Sequence, residues 1–287
     1  MSYDYQMTQS APLSALKRLL DDPSPVVRKA VLDGVKAAGT EGVLWLENLT
    51  TNKKLGVHAK SLLTQLRTSE SATQSFLQYV SSGKIELEEA CLLLERTINP
   101  QLSENEIASE LDRFAERTRE LIAEPIDCKN KCHLLCRVLF GEEGFRGAQQ
   151  SFATPEASLL SKVIRSKRGI PLSLSLIFLL VAQRLGLPVE PVGLPGRFMV
   201  GVFKGKEPFY IDCYEGGTFR TRAEVQLLLR ENHLPADEAF LLPTSVPETL
   251  ARYCRNLVAQ FEAQGDSERS RLFVRLHQAL EKFNACE

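Results

Sequence analysis

The chain predicts an α+β fold, mostly helical, with a small antiparallel sheet packed on one buried helix. Three observations carry this. Leu172 to Leu185 is apolar on nearly every side, as a helix buried all round must be. Three short runs rich in Val, Phe and Tyr follow it: Val189 to Leu194, Phe198 to Phe203, and Pro208 to Ile211. Most of the remainder places apolar residues at helical spacing between capping signals.

Size and composition bound the functional classes. A chain of 287 residues can hold two or three units with cores of their own. Its 44% apolar and 25% charged residues are ordinary for a globular protein. A net charge of −1 gives no overall attraction to nucleic acid or to an anionic membrane. The stretch Leu172 to Ala182 has 11 residues, against about 20 needed to span a bilayer. It predicts a core helix. Met1 to Ser10 has neither an apolar run nor a basic segment, so the expectation is no signal peptide, a disordered start and a cytoplasmic protein. Seven cysteines, an odd number without secreted-domain spacing, predict reduced thiols.

Taken in order, residues 11–67 hold a weak internal repeat. Leu20 to Ala30 aligns with Leu49 to Ala59 at an offset of 29. Ser24 is the expected N-cap of a helix with Pro25 at its first position and an end at Gly39. This segment resembles one HEAT-type repeat and a degenerate second. Such hairpins bury their apolar faces by stacking, so the segment reads as a helical cap, with a peptide-binding extension as the alternative.

Further helices are expected over Ile85 to Thr97, from Ser103-Glu-Asn-Glu106 to about Ala123, over Lys129 to Phe140, and over Glu156 to Lys167. Between Ser69 and Asn130 there are 13 acidic and 6 basic residues, which reads as solvated helix faces. Cys128, Cys132 and Cys136 recur every four residues. Such a stripe strings its sulfurs along about 12 Å of helix, too far for one zinc with Zn–S bonds of about 2.3 Å. It reads as core, and neither a metal nor a cofactor is expected.

Gly169 and Pro171 mark a break and the start of the buried helix, and Gly186 with Pro188 ends it. Lys204-Gly205-Lys206 is the expected hairpin turn between the second and third runs. The midpoint of Arg197 and Asp212, 204.5, falls on this turn, so they should oppose one another on neighbouring strands and form an ion pair. Cys213 to Thr218 reads as a loop. Thr221-Arg-Ala-Glu224 and Ser245-Val-Pro-Glu248 are capping boxes for later helices, and Gly265-Asp266 separates the last two.

Four separated motifs now carry a resemblance. Phe140 to Gly147 (FGEEGFRG), Arg168-Gly-Ile-Pro-Leu-Ser-Leu-Ser, Val192-Gly-Leu-Pro-Gly and Ile211-Asp212 resemble, in this order, the bacterial SirB-type branch of the transglutaminase-like superfamily. The resemblance covers roughly Ser69 to Glu287 and implies a papain-like core with a Cys-His-Asp constellation. Carried over residue by residue, Pro171 stands in the cysteine slot and Arg197 in the histidine slot, and only Asp212 matches. Proline has no nucleophilic atom, and guanidinium accepts no proton. The closing helix pair resembles the TPR-type hairpin of the same branch.

The expected organisation is 1–68 HEAT-like extension, 69–154 helical subdomain, 155–245 transglutaminase-like core and 246–287 TPR-like hairpin. The expected function is non-catalytic, by binding or regulating a protein partner, with neither nucleic acid nor membrane involved. The alternative is a hydrolase or acyltransferase in which Ser173 or Cys213 attacks. No His-Glu-x-x-His, Gly-x-Ser-x-Gly or phosphate-loop pattern offers another chemistry.

Overall fold

The computed structural model of the chain describes residues 13–149, 154–205 and 207–285. The expected disordered start and Lys206 of the expected turn lie outside these residues. The chain divides into two compact units, Met1–Ala72 and Thr73–Glu287.

The first unit holds α1 (Leu13–Leu16), α2 (Pro25–Ala37), α3 (Gly39–Leu49) and the start of α4 (Gly56–Ser81). Val31 and Val35 of α2 and Leu46 of α3 are buried in its core, with Ala59 and Leu63 of α4. Inward positions therefore correspond at a spacing of 28 residues along these helices, whereas the alignment at 29 pairs buried Ala59 with exposed Ala30. Ser24 stands at the N-cap of α2 but makes no side-chain capping bond. The Asp22 carboxylate instead accepts from the Ser24 N–H at 2.7 Å, closing the turn before the helix.

The second unit continues α4 and adds α5 (Leu87–Arg96), α6 (Glu104–Leu121) and α7 (Cys128–Cys136). Ser103 precedes α6 without a side-chain capping bond. The expected single helix through Phe140 changes to a π-helical turn, Arg137–Glu142, so α-helical geometry stops at Cys136. The expected loop after it contains β1 (Arg146–Gly147). The next expected helix is also broken. A 3₁₀ turn, Pro155–Ala157, precedes α8 (Leu160–Ser166), because Leu159 is extended between them and Lys167 adopts a left-handed conformation beyond them. β2 (Arg168–Gly169) then pairs in parallel with β1.

α9 (Pro171–Arg184) is the central helix, and every residue from Pro171 to Ala182 is buried. Pro171 occupies its first turn, where a missing N–H costs nothing. At the other end Gly186 takes a positive φ and the Leu187 N–H returns to the Ala182 carbonyl at 3.0 Å.

β3 (Glu190–Leu194), β4 (Arg197–Val202), β5 (Phe209–Asp212) and β6 (Thr218–Thr221) follow as an antiparallel sheet in sequence order. Phe198, Val200, Val202 and Ile211 join the core around α9. Val192, Leu194, Met199 and Tyr210 point the other way, into a core with Val225 and Leu229 of α10 (Arg222–Glu231) and with Leu241 of the 3₁₀ turn Glu238–Leu241. Both faces are covered. That is why the strands read as nearly continuous apolar runs rather than alternating ones. α11 (Val246–Ala263) and α12 (Ser267–Asn284) close the chain, with Phe261 and Phe273 stacked between them at 5.6 Å. Thr221, Ser245 and Asp266 cap α10, α11 and α12 through their side chains. Among the described residues no helix is long and apolar enough to cross a membrane.

Candidate functional site

Arg197 opens β4 and Asp212 ends β5. The expected pair is present: Arg197 Nη2 lies 3.0 Å from Asp212 Oδ2. The expected register is not. Val200 faces Ile211 and Val202 faces Phe209, so Arg197 stands two residues along from the position opposite Asp212 and reaches it diagonally. The connection 203–208 is longer than the three-residue turn the sequence suggests, which moves the hairpin's centre.

Asp212 is 0% exposed and has a second cation that the sequence reading missed. Arg220 Nε, from β6, approaches the same Oδ2 at 3.2 Å. Oδ1 accepts from the Glu215 N–H at 3.3 Å, and the Glu215 carboxylate takes Arg197 Nη2 at 2.8 Å. Two guanidinium groups and two carboxylates thus form one network, and a charge buried this deeply needs such partners. The turn 213–217 brings it together by setting Thr218 opposite Asp212. Phe219, apolar between Thr218 and Arg220, was the available signal for β6.

Tyr214 roofs the neighbouring backbone. A Cβ on Gly147 would come within 2.6 Å of its ring, so only glycine fits in β1 there. The Arg197 guanidinium carbon lies 5.9 Å from the centre of the same ring, and Arg197 Nε is buried with no hydrogen-bond partner.

The other sequence candidates are committed elsewhere. Pro171 is buried at the helix start. The Ser173 hydroxyl accepts from the Ile170 N–H at 3.0 Å and donates to the Ala157 carbonyl at 2.7 Å, joining α9 to the preceding 3₁₀ turn. Cys213, the first residue after β5, is fully buried and belongs to the core around α9. Burial pushes its thiol well above the ordinary range, and neighbouring Cys136 adds to the effect. Burial likewise lifts the Cys136 thiol to about 12. A Cβ on Gly217 would come within 2.6 Å of the Cys136 sulfur, so that thiol is sealed by backbone. The attacking species of a cysteine enzyme is the thiolate, and burial without a positive partner suppresses it.

Cys132 and Cys136 of the four-residue stripe face the core with Leu135 and Leu139, and Cys128 is half-buried. Among the described residues no three His, Cys, Asp or Glu side chains are grouped to hold a metal. His133 stacks on Phe219 at 3.7 Å, and no histidine is hydrogen-bonded to Ser173 or Cys213 among the described residues.

One further group went unread in the sequence. Glu95 shares the apolar face of α5 with Cys91 and is 2% exposed. Both of its oxygens accept the Ser161 N–H at 3.2 Å, and Oε1 accepts the Tyr253 hydroxyl at 3.2 Å. Burial raises its pKa above the usual carboxyl value, and these hydrogen bonds oppose the rise. Its signal was a charge four residues beyond Cys91 on an otherwise apolar stripe.

A buried helix against an antiparallel sheet, with an aspartate ending its third strand, is the framework of a papain-like core. Residues 105–255 match the model of the transglutaminase-like superfamily, over half of the chain, and the chain belongs to that superfamily. Among curated proteins, a UPF0162 protein of Vibrio cholerae is 26% identical over 133 residues, which is 46% of this chain and 49% of that protein. A UPF0162 protein of Xylella fastidiosa is 28% identical over 187 residues, 63% of this chain and 66% of that one. Protein SirB1 of Salmonella typhimurium is 26% identical over 181 residues, again 62% and 66%, and these relatives agree with the SirB-type branch. The chain spans about half the length of the first of these relatives and just under two thirds of the others. No solved structure matches it.

Proposed function

We propose that this chain is a non-catalytic transglutaminase-like protein that acts in the bacterial cytoplasm by binding and regulating another protein. The observation that carries the reading is the Arg197–Asp212–Arg220 network: Arg197, in the slot the resemblance gives to the base, accepts no proton, and Asp212 is held by two guanidinium groups. The hydroxyl of Ser173, engaged on both sides, and the sealed Cys213 thiol support it. Within this reading 1–68 is a HEAT-like extension, 69–154 a helical subdomain, 155–245 the degenerate core and 246–287 a TPR-like hairpin.

A thiol-reactive probe tests the silence of the site. In native protein at neutral pH Cys128, which is half-buried, should label first among the cysteines of the described residues, and Cys213 should stay unlabelled until denaturant is added. Stoichiometric native labelling of Cys213 would instead support a hydrolase or acyltransferase. The partner is sought by pull-down from the native cell, repeated with residues 1–68 removed; loss of the captured protein would assign binding to that segment.

A further inference from the structure

β1 and β2 have two residues each, yet they carry two arginines in direct register. The strands pair in parallel, with Arg146 beside Arg168 and Gly147 beside Gly169. Partners on neighbouring strands share one face, and the next residue of each strand turns to the other. The glycine face is interior. A Cβ on Gly147 would meet the Tyr214 ring, and one on Gly169 would meet Val163 and Leu174. Arg146 and Arg168 therefore stand together on the outer face, and both are exposed. Neighbouring strands lie about 4.8 Å apart, and like charges directly opposite repel.

Among the described residues no carboxylate neutralises this pair. Arg146 Nη1 donates to the carbonyls of Phe140 and Phe145, which fixes the guanidinium group and leaves its charge uncompensated. Arg168 is hydrogen-bonded through its backbone alone. Carboxylates of the adjoining segments are engaged by other cations: Glu106 by Arg165 at 3.1 Å, Glu143 by Lys167 at 3.1 Å, and Glu142 by Arg117 at 2.8 Å. Glu156, exposed in the 3₁₀ turn before α8, forms no ion pair with either arginine. Two cations held side by side without a counter-charge attract an anion. A carboxylate has one charge and two oxygens, which a single guanidinium satisfies. A phosphomonoester has a charge of about −1.5 to −2 at pH 7 and three acceptor oxygens, which match two.

We propose that the outer face of the β1–β2 ribbon is a phosphate-binding site, in which Arg146 and Arg168 together hold a phosphomonoester dianion. The site stands whether or not the degenerate core is silent. The test uses the full chain in phosphate-free, low-salt buffer and titration calorimetry. Its probes are inorganic phosphate, a short peptide with one phosphoserine between alanines, and the same peptide with glutamate in place of the phosphoserine. Both phosphate probes should bind, and the glutamate peptide about tenfold or more weakly. Arg168→Ala should weaken binding of both phosphate probes about tenfold or more, and Arg168→Lys should recover only part, because an ammonium lacks the planar fork. Tighter binding of the phosphopeptide than of inorganic phosphate assigns the site to a phosphorylated protein segment; equal or weaker binding assigns it to a small phosphorylated molecule. Arg146→Ala also breaks the bonds to the Phe140 and Phe145 carbonyls, so Arg168→Ala carries the test. Without ligand it removes a repulsion and should melt no lower than wild type, whereas loss of a structural contact would lower its melting temperature. The proposal is overturned if neither phosphate probe binds, if the glutamate peptide binds as tightly as the phosphopeptide, if Arg168→Ala binds phosphate unchanged, or if that variant melts lower than wild type without ligand.

Discussion

Asp212 lies between two guanidinium groups, so its arginines do not carry equal weight. Asp212→Ala would leave Arg197 and Arg220 close together without the carboxylate that holds them, at a cost of about 3–5 kcal/mol. Arg197→Ala leaves Asp212 neutralised by Arg220 and releases only the exposed Glu215 carboxylate to solvent, so it costs less, about 1–3 kcal/mol. The double variant should lose clearly less than the sum of the two, because the residues share one network. Urea denaturation measures all three, and strictly additive losses would remove the network as an energetic unit. Glu95 makes a different kind of prediction. Its folded pKa is raised, so its contribution to stability is full below the unfolded value near 4.5 and is lost as pH rises through the folded pKa. Glu95→Gln has no proton to lose. Its melting temperature relative to wild type should therefore rise between acid and neutral pH, and a difference independent of pH would refute this. The groups facing Glu95, which are the Cys91 thiol and the Tyr253 hydroxyl, have their own pKa values raised well out of that window.

At the scale of elements, one side chain ties α9 to two helices of the preceding segment. Arg184 binds Glu88 of α5 through two hydrogen bonds at 2.6 and 2.7 Å, and Asp112 of α6 at 2.5 Å. Its side chain is 17% exposed, and such bidentate pairs are the stronger kind. Arg184→Ala should cost about 2–3 kcal/mol, and Arg184→Lys should recover only part, because an ammonium cannot bridge both oxygens in the same plane. Chemical denaturation of the two variants checks the order. The same elements show what the sequence made legible. α9 announced itself because its burial is total, so no period needed to be read. Asp212 and Arg197 were paired correctly because both sit beside a recognisable hairpin. β1 and β2 escaped because two residues each have no period to display. β6 escaped because its four residues are half-buried or exposed and two are threonines that also read as a cap. Arg220 escaped with it, and with Arg220 went the second half of the charge network.

At the scale of the whole molecule, α4 raises the question of where the second unit begins. The sequence boundary before Ser69 and the compact-unit division after Ala72 both fall inside this one continuous helix, Gly56–Ser81. Phe76 and Val80, in its last turns, are 0% and 3% exposed and belong to the core around α9, together with Leu94, Leu111 and Phe114. Those last turns are therefore part of the second unit's interior rather than a connector. A fragment 69–287 keeps Phe76 and Val80 and should unfold in one cooperative transition. A fragment 83–287 loses both. Removing a buried phenylalanine alone typically costs about 3–5 kcal/mol, a large part of the about 5–15 kcal/mol that holds a domain together. The shorter fragment should melt at a much lower temperature and expose apolar surface that binds a hydrophobic dye. Circular dichroism melts and dye fluorescence on both fragments decide it. Equal melting of the two would mean that Phe76 and Val80 contribute nothing to that core, and the second unit would then begin at α5.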